Sequence, residues 1–115
     1  MPDEEGLRTL IKIMGKLGDD SSKMHHIFYY FTTAKKQNAT SAAQAIKEAG
    51  FDVVVGKNEY LPWYKLIFSR KKWQCKVSMY YPLDLSSLKE GLAEVESIAN
   101  NCGCKYSSTA TSPMY

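Results

Sequence analysis

The spacing of apolar positions changes period several times along the chain, and each change marks an element. Over residues 3–17, Leu7, Leu10, Met14 and Leu17 recur at steps of three and four, with Ile11 beside them. That spacing gathers them on one side of a helix. Acids in the first turn and lysines near the end suit its dipole. Gly18–Ser22, "GDDSS", stops it. Met24–Thr33 is then aromatic and β-branched on both alternating sets, which predicts a central strand. In "QNATSAAQAIKEAGF", Ala39, Ala42, Ala43, Ile46 and Ala49 mark a narrow helix face able to sit close to a sheet, with Asn38 or Thr33 as candidate caps. Gly50 fits the left-handed residue beyond a helix end, and "FDVVV" starts a second strand. Strand, helix, glycine, strand is a βαβ unit with a right-handed crossover.

Further on, "WYKLIFS" (Trp63–Ser69) reads as a third strand and "RKK" as a basic hairpin tip. "WQCKVSMYYP" alternates, with Cys75, Val77, Met79 and Tyr81 on one side and Gln74, Lys76, Ser78 and Tyr80 on the other; Pro82 ends it. Leu85, Leu88, Leu92, Val95 and Ala99 define the clearest helix, for which Ser87 and Glu90 offer a capping box after Asp84. Gly103 is placed to end that helix, and "CKYSSTAT" reads as a closing strand with the hydroxyl-rich composition of an edge. The tail "SPMY" reads as loose. No linker or internal repeat divides the chain. The expected fold is α+β: a ferredoxin-like antiparallel or mixed sheet with two helices on one face, plus an N-terminal helix and an extra hairpin strand, in one domain over residues 1–115.

Composition narrows the class. With 44% hydrophobic and 12% aromatic residues, the 115-residue chain has enough apolar surface for a core, which excludes a disordered protein. The net charge of +3 is mild and does not by itself imply nucleic acid. Cys75, Cys102 and Cys104 are odd in number and lack C-x-x-C spacing, which argues against a disulfide framework or structural zinc and for reduced thiols. The N-terminus is acidic where a secretory signal would be basic, and Lys12 and Lys16 interrupt the apolar stretch that follows. The expectation is a cytoplasmic protein with no membrane contact.

The chemistry-bearing residues do not assemble into a catalytic motif. His25 and His26 are adjacent in a strand, so they point to opposite faces and cannot chelate one ion together. Neither has a Cys, Asp or Glu at ligand spacing, and an acid–base site of Asp19 or Asp20 with His25 lacks a nucleophile. There is no G-x-S-x-G, P-loop or H-E-x-x-H. The expectation is a non-enzyme with no catalytic residue, metal or cofactor. Cys102-Gly103-Cys104 reads as a helix terminator rather than a redox pair.

Recognition residues are more plentiful. Lys57, Lys65, Arg70, Lys71, Lys72 and Lys76 face one acid, Glu59, in the same stretch, with Trp63 and Trp73 nearby. That composition suits phosphate contacts beside a stacking ring, or simply a solubilising hairpin tip. The eight tyrosines exceed what a small core needs, and such rings favour protein interfaces. The partner-binding candidates are Arg70, Lys71, Lys72, Trp73, Trp63, Tyr30, Tyr80 and Tyr106.

The opening helix ending in "LGDD", the strand "HHIFYYF", the run "AAQAIKEAGFDVVV", the strand "WYKLIF" and the final helix followed by "CGCKY" together resemble the ribonuclease E inhibitor B (RraB) family over about residues 7–110. Gly103 and Tyr106 match that family's Gly and Tyr after the last helix, while Ser107, Ser108 and Thr109 stand where Asp-Gly-Trp is expected. Family members are typically acidic, and this chain is slightly basic. The resemblance implies a protein that binds another protein, a nuclease, and regulates it. Two alternatives use other partners: an immunity protein neutralising a secreted toxin, and an RNA-binding module built on the Arg70–Trp73 hairpin.

Overall fold

The computed structural model describes residues 2–57 and 72–112. In chain order the elements are α1 (Pro2–Lys16), β1 (Met24–Thr33), α2 (Lys36–Glu48), β2 (Asp52–Lys57), β3 (Trp73–Pro82), α3 (Leu85–Asn101) and β4 (Lys105–Thr111). The strands form one sheet in the order β2-β3-β1-β4, antiparallel at every pairing. The antiparallel form of the expected α+β sheet is therefore the one adopted, with no parallel pair among the described strands. The expected strand Trp63–Ser69 lies outside the described residues.

β1 is central, as its two apolar faces require. It pairs with β3 along its full length, from Met24↔Pro82 to Thr33↔Trp73, and with β4 on its other side. A register shift between Tyr30 and Phe31 bends the β4 pairing. His25, Ile27, Tyr29 and Phe31 project inward and have no exposed surface. Cys75, Val77 and Met79 of β3 join them there, under Ala39, Ala42 and Ile46 of α2 and Leu88, Leu92, Val95 and Ala99 of α3. Burying each large aliphatic or aromatic side chain contributes about 1.5–3 kcal/mol, so the inward row of β1 anchors the core. α1 packs on α3 and the β4 side of the sheet, burying Leu7 and Met14. Leu17, expected on the same stripe, lies past the helix end and is 52% exposed.

Two glycines set how closely the layers approach. At Gly91, on the buried side of α3, an added Cβ would stand 3.0–3.2 Å from side-chain atoms of Met79, Tyr81 and Tyr29, which would have to give way for the helix to stay this near the sheet. The Tyr29 hydroxyl uses that proximity and donates to the Leu88 carbonyl at 2.9 Å. Burial pushes its phenol far above the usual tyrosine range, which keeps it a neutral donor. Gly103 ends α3 at φ +81°, with its N–H on the Asn100 carbonyl, as expected of C-G-C.

The helix starts differ from expectation. Asp84, not a Ser87–Glu90 box, caps α3: its carboxylate accepts from the Ser87 N–H at 2.8 Å and from the Ser87 hydroxyl at 3.0 Å. Asp84 wins because the helix begins at Leu85, which places Ser87 at the third helical position. α2 begins at Lys36, earlier than expected, so Asn38 falls inside it and Thr33 before it; Lys35 occupies the cap position and no side chain caps the end.

An alanine at Gly103 must adopt a left-handed backbone and bring its Cβ to 2.7 Å from the Asn38 amide nitrogen. Gly103→Ala is expected to cost about 1–3 kcal/mol, read as a lower urea midpoint with unchanged slope.

Candidate interaction surfaces

The two histidines part as strand alternation requires, but the inner one has an acid after all. His25 Nδ1 lies 2.7 Å from the Lys23 carbonyl and Nε2 lies 2.6 Å from Asp19 Oδ1. A carbonyl only accepts, so Nδ1 carries a proton, and one further proton lies between Nε2 and the carboxylate. The side chains are 0% and 1% exposed. The α1–β1 turn brings Asp19 under the strand, a contact invisible to spacing rules because it depends on how the chain reverses. Sealed from solvent, the pair cannot reach a substrate; it ties that turn to the first residues of β1.

On the opposite, outer face of the sheet no helix packs among the described residues. Alternation puts Met24, His26, Phe28, Tyr30 and Thr32 of β1 there, opposite Pro82, Tyr80, Ser78, Lys76 and Gln74 of β3. Tyr80 is 56% exposed, Met24 44%, and Val54 of the neighbouring β2 64%. His26 stacks at 4.4 Å between ring centroids on Phe28 and 5.9 Å from Tyr80, while the Lys76 ammonium sits 4.4 Å from the centre of the Phe28 ring. A hollow of about 260 Å³ beside these rings is lined by His26, Asp52, Ser78 and Tyr80. The result is a patch of rings and aliphatic groups with few charges, the composition of an interface centre.

A second surface lies at the end of the sheet where β1 and β2 finish and β3 and β4 begin. Lys35 and Lys36 at the start of α2, Lys57 closing β2, Lys72 before β3 and Lys105 opening β4 collect there. The Lys36 ammonium stands 5.3 Å from the Trp73 ring centre. A cleft of about 460 Å³ opens between these elements, lined by Thr32, Thr33, Lys35, Asn38, Lys105 and Tyr106.

The expected recognition residues therefore divide. Lys72, Trp73 and Tyr106 belong to the basic end and Tyr80 to the outer face. Tyr30 points to the outer face but is only 9% exposed, so its ring offers a partner little surface. Arg70, Lys71 and Trp63 lie outside the described residues. Sequence reasoning missed His26, Phe28 and Val54, although alternation from Tyr30 and Tyr80 was a usable signal for the first two. It also missed Lys35 and Lys36, whose meaning depends on which strand ends meet. Cys75 and Cys104 are buried, and the Cys75 thiol donates to the Ala39 carbonyl at 3.2 Å. Among the described residues no three His, Cys, Asp or Glu side chains converge as metal ligands, and no helix is long and apolar enough to cross a membrane.

The described residues thus form a helix-backed antiparallel sheet with a ring-lined outer face and a lysine-lined end. Its sequence matches the family described as regulator of ribonuclease activity B over residues 4–107. The chain belongs to that family, the RraB family, whose members are non-enzymatic regulators of ribonuclease activity. No curated protein matches the chain.

Removing the acid from the buried pair strands the His25 ring without its partner. Asp19→Ala is expected to cost about 1–3 kcal/mol in denaturant unfolding, and Asp19→Asn less, because an amide can still donate to Nε2. Equal costs for the two would contradict a hydrogen-bonded tie.

Proposed function

We propose that this chain inhibits a ribonuclease, ribonuclease E being the target its family indicates, by seating it on the outer face of the sheet around Tyr80, Val54, Phe28 and His26. The reading is carried by the family match over nearly the whole chain, together with the gathering on this face of Tyr80 and Val54, the most exposed large apolar side chains of the described strands. Large exposed rings flanked by aliphatic groups are the anchors that dominate binding energy at protein interfaces. A regulator of this kind contributes shape and water exclusion rather than chemistry, which agrees with the sealing of His25 away from solvent. The toxin-neutralising alternative finds no support in the family match.

The strand order β2-β3-β1-β4, with one helical connection leaving β1 and another leaving β3, supports a ferredoxin-like reading of the whole as one domain over residues 1–115. In that arrangement both helices back the same face and leave the other for recognition. A ribonuclease target also implies that the protein acts in the cytoplasm.

The test is inhibition of purified ribonuclease E on a labelled RNA. Tyr80→Ala and Val54→Lys should each raise the concentration needed for half inhibition by roughly tenfold or more, with the thermal unfolding curve unchanged because both side chains are exposed. Inhibition equal to that of the unaltered chain in both variants would remove the outer face as the docking surface.

A further inference from the structure

Docking on the outer face leaves a cluster of five lysines without a task. Lys35, Lys36, Lys57, Lys72 and Lys105 share one end of the sheet. Residues 30–47, 53–57, 72–83 and 97–112 contain neither Asp nor Glu, and Glu96 lines the adjoining hollow with Lys105 and Tyr106. Five of the fifteen basic residues thus belong to this end. Clustered ammonium groups repel one another and weaken a compact fold, so folding does not account for them; a polyanion does.

The cleft at this end supplies more than charge. Lys35 and Lys105 line it together with Thr32, Thr33 and Asn38, two ammonium groups and a side-chain amide suited to phosphate oxygens and a ribose hydroxyl. α2 starts here without a side-chain cap, so its dipole adds to the positive field. Trp73 and Tyr106, both half-buried, stand at the margins. The Lys36 ammonium lies over the Trp73 ring, 5.3 Å from its centre, a place that a base stacking on that ring would take over as the flexible lysine swings to a phosphate.

We infer that this lysine-lined end binds single-stranded RNA, its phosphates held by Lys35 and Lys105 in the cleft and its bases resting on Trp73 and Tyr106. An acidic polypeptide would satisfy the lysines but bring no flat group for the two rings, so the observations favour RNA. The site is distinct from the ribonuclease-docking face and does not depend on that reading.

The experiment is fluorescence anisotropy of a labelled ten-nucleotide single-stranded RNA titrated with the purified chain, with no ribonuclease present. Neutralising about four phosphates predicts a roughly 50-fold loss of affinity between about 50 and about 200 mM salt. Lys35→Glu with Lys105→Glu should weaken binding at least about tenfold and flatten the salt dependence. Lys12→Glu with Lys47→Glu, the same charge change on exposed helix positions elsewhere, should have a far smaller effect. Trp73→Phe should retain more affinity than Trp73→Ala. Absence of binding at low salt, an equal loss in both double variants, or displacement of the RNA by polyglutamate at matching charge concentration would each overturn the proposal. Because the measurement omits the ribonuclease, its failure leaves the inhibition reading untouched, and loss of inhibition leaves this one untouched.

Discussion

β1 lies between two neighbours and must satisfy two environments at once. Its inward residues Ile27, Tyr29 and Phe31 are sealed beneath α2 and α3, while on the outer side His26 meets the Tyr80 ring across the sheet and Phe28 lies beside His26. The period of two that buries one set necessarily presents the other. A one-residue slip against β3 would put the Phe28 and Tyr30 rings into the core and expose Ile27 and Tyr29. Several contacts hold the register against such a slip: the Tyr29 hydroxyl on Leu88, the His25 ring on Asp19, and the close seat of α3 at Gly91. The outer face is therefore as precisely placed as the core.

This coupling explains how a small chain without catalytic groups can regulate an enzyme. Its working parts are surfaces, and the sheet separates them. Rings and aliphatic side chains lie across the outer face, while ammonium groups collect where β1 ends and β3 begins. At the opposite end, where β1 starts and β3 finishes, Asp20 and Asp84 hold turn and cap positions, Asp19 bonds the buried His25 ring, and Asp52 opens β2. Charge is thus sorted along the strand direction, which orients an approaching polyanion before contact.

The sequence made much of this legible, and the exceptions share a cause. The boundaries of β1, β3 and α3 were readable because each has a long, unbroken periodicity, and the inward set of β3 was assigned residue by residue. Gly103 was readable as a stop because its role is local. What escaped depends on contacts between distant segments. Asp19 reaches His25 only after the chain turns. Lys35 joins Lys105 only because β4 starts beside the end of β1. Tyr30 shares the parity of Phe28, yet it is nearly closed off, and nothing in its alternation distinguishes the two. The α3 cap was misread by a few residues, since a Ser-x-x-Glu pattern resembles a start signal wherever it falls and only the observed first turn selects Asp84.

The central claim is that the outer face, not the helix layer, is the surface by which this regulator engages its ribonuclease. Side-chain NMR of the labelled chain during titration with unlabelled ribonuclease E tests it most directly. The account predicts that signals of Val54, Phe28 and Tyr80 shift or broaden first, while those of Val77 and Ile27, one residue away on the buried face, stay nearly fixed. Perturbation concentrated on the solvent side of α1 or α3, with Val54 and Tyr80 unmoved, would contradict it.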